Sequence, residues 1–228
     1  MYTIYDVLEQ LFKYRSLNLN EVKLNPRDRA LLEKLVSTWI ERGFALEKSS
    51  EIILLSPLDA VVDLIGVGID PTRFVNYIDW REFEEFIARV LSEAGFEVFR
   101  GVEHRGYRAF QIDVLAVDTV SKRALVVECK QWRRVYPRVA SLKEAVARHR
   151  RRIELLNKYC EWIVVRIPVL RRVKEFIPVI ALLKPYKDKV MDGVPLVSIV
   201  EMNDFVQNLD LYIEELGICR EINRCFVG

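Results

Sequence analysis

Residues 111–130 read QIDVLAVDTVSKRALVVECK, two apolar strand-like runs around a polar turn. Asp118 to Arg123 joins the runs as a hairpin. Each run carries charge where a buried strand normally has none. Asp113 interrupts the first, and Glu128 and Lys130 lie at the end of the second. Strand side chains alternate faces, so Glu128 and Lys130 share one face while Val127 and Cys129 point to the other, into a core. Two carboxylates and a lysine on one sheet surface are costly unless paired or bound to a metal. Hard oxygen ligands favour Mg²⁺ or Mn²⁺.

Working outward, Asp79 caps a helix with Glu82 three residues on. Phe83, Phe86, Ile87, Val90 and Leu91 form its apolar face, and Gly95 stops it. The pattern then predicts strands over 96–102, 109–117 and 124–130, a turn at 104–108, and a long basic helix over 140–159 after a loop holding Pro137. WIVVRI (162–167), FIPVIALL (176–183) and PLVSIV (195–200) read as further strands, followed by a helix over about 203–216. This order predicts a three-layer α/β domain with a mixed central sheet flanked by helices.

Upstream, Thr3 and Asp6 form a capping-box pattern before Ile4, Val7, Leu8, Leu11 and Phe12. Asn25-Pro26 opens a second helix that ends at Gly43. The segments 44–47 and 51–55 around a Lys48-Ser49-Ser50 turn read as a strand pair. The order resembles a small helical, winged-helix-like domain over 1–56, with 19–24 as its weakly marked middle helix. Such a domain binds DNA or serves as a dimerisation or docking module, and both readings stay open. Its basic residues (13, 15, 23, 27, 29, 34, 42 and 48) are dispersed. Ser56-Pro57 starts a helical linker over 57–78, leaving 79–228 as the main domain.

The chain of 228 residues is 51% apolar, enough to bury a core. No apolar run reaches the roughly 18–20 residues that span a bilayer. The start, MYTIYDVLEQ, is acidic and amphipathic rather than a signal peptide. The expected location is cytoplasmic. Cys129, Cys160, Cys219 and Cys225 lack zinc-site pair spacing; Cys129 reads as strand core, and Cys219 with Cys225 is a candidate disulfide. Scarce glutamine with frequent arginine and glutamate leans towards a thermophile. Net charge is only +2, yet residues 100–174 hold 19 Lys+Arg against 7 Asp+Glu. A basic segment around a carboxylate cluster points to a polyanionic substrate.

The motifs FEEFIARVLSEAGFEVFRG, QIDVLAV and VVECKQW, in that order, resemble the PD-(D/E)xK nuclease superfamily. They are most similar to the Mrr-type restriction endonuclease domain and the archaeal Holliday junction resolvases. The resemblance spans about 80–183. It implies a restriction-endonuclease-like core and an Mg²⁺-dependent endodeoxyribonuclease of restriction, repair or recombination type. Asp113 and Glu128 would hold Mg²⁺ or Mn²⁺, with the Cys129 backbone carbonyl as a further ligand. Lys130 would position or deprotonate the attacking water. Glu84, eleven residues before Gly95, would reach the metal directly or through water; Glu85 is the second choice, since Glu82 caps the helix. The proline that usually precedes the first acid is Ile112 here, a form the Mrr-like branch tolerates. A homodimer is expected, as in members that cut both strands.

Arg148, Arg151 and Arg152 share one side of the basic helix, with Lys143 before them. Arg133, Arg134 and Arg138 follow the catalytic lysine, and Arg105 and Arg108 precede Asp113. These are the candidate DNA-backbone contacts. Trp132 and Tyr136 either stack on DNA or pack as a lid, and Gln111 either lines the site or marks a strand edge. His149, among the arginines, is a poor metal ligand and a plausible phosphate contact. No GxxxxGK loop is present, so no nucleotide cofactor is expected. The alternative function is a catalytically silent DNA-binding or scaffolding protein with a nuclease fold.

Overall fold

The computed structural model describes residues 2–105, 109–131 and 138–227, the side chain of Thr72 excepted. The chain divides into two compact units, Met1–Glu82 and Phe83–Gly228.

In the first unit, helix α1 (Ile4–Tyr14) starts at a reciprocal cap between Thr3 and Asp6, which satisfies backbone donors at the helix start. Strand β1 (Ser16–Asn18) follows, and in place of the middle helix expected over 19–24 there is only a short 3₁₀ turn (Leu19–Glu21). Helix α2 (Pro26–Glu41) is capped by Asn25, whose Oδ1 accepts from the Asp28 N–H at 2.9 Å. Strands β2 (Ala45–Lys48) and β3 (Glu51–Leu54) complete an antiparallel sheet of order β1-β3-β2. Leu8, Leu11, Phe12, Leu32, Trp39 and Ile52 form much of its buried interior. Helix α3 (Pro57–Gly66) and two 3₁₀ turns follow. Helix α4 (Trp80–Glu93) begins here and runs on into the second unit.

The second unit is mixed α/β. Strands β4 (Glu97–His104), β5 (Phe110–Asp118) and β6 (Arg123–Lys130) form an antiparallel meander. Helix α5 (Val139–Lys158) and helix α6 (Cys160–Arg166) cross to β7 (Glu175–Leu182), which lies parallel to β6. Then come β8 (Val190–Met191), β9 (Val194–Ser198), helices α7 (Met202–Gln207) and α8 (Leu209–Leu216), and β10 (Glu221–Ile222). The strand order is β4-β5-β6-β7-β9-β8, with β10 also on β7. Strand β6 takes one edge of β7, so β9 and β10 share the other, at opposite ends. This mixed sheet with flanking helices is compatible with the restriction-endonuclease-like core expected from the sequence. Helix α5 packs Ile153 and Leu156 over β5 and β6, and Leu142, Ala145 and Val146 over β7 and β9.

Further expectations need correction. The helix expected over about 203–216 is two helices, α7 and α8, that meet at Asn208. WIVVRI is helix α6, not a strand: Trp162 and Ile163 N–H groups return to the Tyr159 carbonyl, both at 3.1 Å. Ile163 and Val164 are buried while Val165 is exposed. A short continuous apolar run has no period that separates the two states. Cys225 pairs with Cys160 rather than with Cys219. Asn223 Nδ2 donates to the Leu170 and Val173 carbonyls at 2.8 and 2.9 Å, which brings the next turn of chain to α6. The Cys219 N–H is held instead by the Gly193 carbonyl at 2.8 Å, beside β8.

Candidate active site

Val114 of β5 pairs with Val127 of β6, and one further step along that register sets Asp113 across from Glu128. The two carboxylates and Lys130 therefore share the sheet face on which α5 lies. The β4 pairing runs on both sides of Gly101, the residue opposite Asp113. Gly101 has φ +59°, a left-handed conformation that side-chain-bearing residues resist.

Asp113 Oδ2 accepts from the Cys129 N–H at 2.8 Å. Glu128 is 2% exposed, and its two oxygens are engaged separately, Oε1 by Lys130 and Oε2 by Arg152 of α5. These environments push the two acids apart. The Asp113 carboxyl rises to about 6, chiefly through burial and then through the charge of Glu128. For Glu128 burial pushes upward too, but the hydrogen bonds from Arg152 and Lys130 outweigh it, and its carboxyl falls below the ordinary value. Burial, followed by the charges of Asp113, Glu84 and Glu128, raises the Cys129 thiol well above its usual range. The sulfur thus stays protonated, and only the Cys129 carbonyl suits a hard cation.

Glu84 of α4 is half-buried and close enough to act on Cys129. Glu85 is exposed, 3.8 Å from Arg100, and Glu82 accepts from Arg15 and from the Asp79 N–H, both at 2.8 Å. Ligand atoms of Glu84, Asp113 and Glu128 do not all lie within 4.8 Å of one another. Cys160, Glu161 and Cys225 do converge, but both sulfurs belong to the disulfide. The donor set at Asp113 and Glu128 fits a hard divalent cation: two carboxylates on adjacent strands, whose mutual repulsion such a cation relieves.

The candidate DNA contacts divide. Arg138 and Lys143 are exposed on the first turns of α5. Arg148 and Arg151 are exposed and pair with Glu144 and Glu154 along the helix, pairs worth only a few tenths of a kcal/mol. Arg105 is 84% exposed, 2.5 Å from Glu103. A cleft of about 480 Å³ is lined by Arg105, Gln111, Arg148, Arg151 and Arg152 among others. Gln111 is thus at the cleft and also on the exposed side of β5. Arg108, Trp132, Arg133, Arg134 and Tyr136 lie outside the described residues. Asp113, Glu128 and Lys130 are not among the residues that line this cleft; Arg152, which holds Glu128, joins it to the carboxylate pair. A larger hollow of about 740 Å³, lined by Tyr2, Tyr14 and Lys48 among others, belongs to the first unit.

His149 is not a phosphate contact. It is fully buried, with Nε2 2.8 Å from the Val126 carbonyl. A carbonyl only accepts, so Nε2 carries the proton and Nδ1 is the bare nitrogen. Nδ1 has no partner among the described residues. Burial, and then the nearby Arg152 and Lys130, lower its pKa to about 4. The arginine-rich look of residues 148–152 hides this role. The signal was the buried series Leu142, Ala145, Val146, His149, Ile153, Leu156, which puts His149 on the inward face.

Residues 75–157 match the Mrr catalytic domain, described as a restriction endonuclease. The match supports a nuclease of restriction-endonuclease type. No curated protein matches the chain. The crystal structure of protein VC1899 from Vibrio cholerae is similar over 92% of this chain and 50% of its own, at 13% identity and a TM-score of 0.42. The chain spans about half the length of that protein, and a likeness at this level carries no argument.

Proposed function

Because residues 75–157 carry a restriction endonuclease domain of Mrr type, we propose that the chain is a metal-dependent DNA endonuclease. The observation that carries the reading is the pairing of Asp113 with Glu128 and Lys130 on one sheet face, beside an arginine-lined cleft. Asp113, Glu128 and the Cys129 carbonyl would hold Mg²⁺ or Mn²⁺, with Glu84 reaching it directly or through water. An ion bound there would supply charge for the scissile phosphate and lower the pKa of water. Lys130 orients the attacking water and offsets negative charge that develops on the phosphate. Hydrolysis leaves a 5′-phosphate and a 3′-hydroxyl. Arg105, Arg138, Lys143, Arg148 and Arg151 contact the DNA backbone and read no bases.

In this reading 79–228 is the nuclease domain, 57–78 a helical linker and 1–56 a winged-helix-like module. The outward side of α2 favours protein docking, including self-association into a homodimer, over DNA. Arg27, Arg29 and Lys34 are offset there by Glu33 and Glu41, while Asp28 turns inward and accepts from the Ile4 N–H.

The test is cleavage of supercoiled, branched and single-stranded DNA with Mg²⁺ or Mn²⁺. Cleavage should need the ion and should be lost in Asp113→Ala and Lys130→Ala. Unchanged cleavage in both variants would overturn the mechanism.

A further inference from the structure

Arg152 belongs to two places at once. Its guanidinium holds Glu128 Oε2, and the same side chain, 28% exposed, lines the cleft shared with Arg148 and Arg151. Lys130 holds the other Glu128 oxygen. Each oxygen keeps a second lone pair, but a dication added to a carboxylate that already faces two cations repels both, and the partner freer to move yields. Lys130 is two residues from Glu128 on the same strand, and its reach is confined to that face. Arg152 comes from a different element, on a long stem whose head has somewhere else to go. The helix beneath it is fixed: one turn earlier, His149 is buried and tied to the Val126 carbonyl at 2.8 Å, two residues before Glu128. A change of partner is therefore confined to the Arg152 side chain, with α5 and β6 staying in place.

We propose that Arg152 couples divalent-cation binding to DNA binding by exchanging Glu128 for a DNA phosphate in the cleft. The inference rests on the proposed carboxylate metal site. A cation arriving at Glu128 replaces the arginine as its counter-charge. The released guanidinium then joins Arg148 and Arg151, where a phosphate offers it bidentate acceptors. A phosphate bound first pulls the same side chain away and frees a Glu128 oxygen for the cation. The two effects are one linkage, so the factor by which the cation tightens DNA must equal the factor by which DNA tightens the cation. Arg152 acts on the metal through Glu128, as a positioning residue, and touches the substrate only after the exchange.

The experiment uses the full chain, a short duplex DNA and Ca²⁺ as the cation probe. DNA affinity is read by fluorescence anisotropy with and without Ca²⁺, and Ca²⁺ affinity by calorimetry. In the wild type Ca²⁺ should tighten DNA by about 10-fold, within the usual range for coupled sites. In Arg152→Gln the tightening of DNA by Ca²⁺ should fall by about 3-fold or more, leaving only the ion's direct attraction for the phosphate, and Ca²⁺ alone should bind more tightly than in the wild type because no guanidinium competes for Glu128. Arg152→Lys, which keeps the charge, should retain part of the coupling; thermal melts establish that both variants are folded. Wild-type coupling that persists in Arg152→Gln, or weaker Ca²⁺ binding there, would overturn the exchange. If instead the wild type binds no Ca²⁺, or Asp113→Asn binds it equally well, the carboxylate site itself fails, and the exchange with it.

Discussion

Asp6 in the first unit and Asp113 in the second are one residue type put to opposite uses. Asp6 closes a helix cap with Thr3 and pairs with Arg73, and these hydrogen bonds pull its carboxyl down to about 2. Asp113 is half-buried beside Glu128, and burial pushes its carboxyl up to about 6. The contrast extends to the units. The first holds ten Lys+Arg against thirteen Asp+Glu, the second twenty-five against twenty. In the first unit Arg15, Arg42 and Arg73 face carboxylates on other elements, and Arg29 pairs with Glu33 along α2. In the second, Asp113 stands where its charge costs stability, which is how a site for chemistry is recognised.

The sharpest way to break this contrast compares two glutamates. Glu128→Gln should lower DNA cleavage by about a thousandfold or more, the scale of losing a transition-state charge partner. Glu82→Gln, which disturbs only a helix cap and the Arg15 pair, should leave cleavage rates within about 2-fold. Equal losses in both would mean that the second unit has no privileged carboxylate.

Next in size is the disulfide. Closing a loop of 65 residues between Cys160 and Cys225 restricts the unfolded chain by about 4 kcal/mol in the loop-entropy account. Reduction, or Cys160→Ser, should lower the melting temperature. It should also speed hydrogen exchange in 160–166 and 221–227, with the first unit's amides unchanged. Exchange that rises equally in both units would erase the distinction.

The Asp113 carboxyl makes a smaller, signed prediction. Its pKa goes from 3.8 to about 6 on folding, so across that window the folded state holds a proton that the unfolded chain has released. Stability from this group is thus present at low pH and is lost as pH rises through about 6. Without divalent cations, Asp113→Asn should gain about 1–2 kcal/mol near pH 7.5 and nothing near pH 4. Asp6 has the reverse sign, since its carboxyl is depressed: its contribution holds above the ordinary carboxylate range and fades as pH falls towards about 2. The smallest effect should follow Arg73→Ala, a slight melting shift that salt suppresses, with cleavage unaltered.

What the sequence made readable follows from which interactions are local. Asp113, Glu128 and Lys130 announced themselves because strand periodicity is two and their charge broke apolar runs. The Asp79 cap and the α5 periodicity were equally local. Arg152 looked like a sibling of Arg148 and Arg151. Only packing across 24 residues of chain turns it onto Glu128. WIVVRI was ambiguous because four apolar residues in a row, one of them the exposed Val165, show no period that separates helix from strand. The partner of Cys225 depended on where Asn223 anchors the chain end, which spacing between cysteines does not encode.

The central claim is that the Asp113 face performs the chemistry. The most direct measurement is the Mg²⁺-dependent rate of DNA cleavage by the wild type and by Asp113→Asn, at DNA concentrations where both are saturated. The predicted result is a loss of about a thousandfold or more in the variant, with DNA still bound. An Asp113→Asn protein that cuts within a few-fold of the wild-type rate would contradict it.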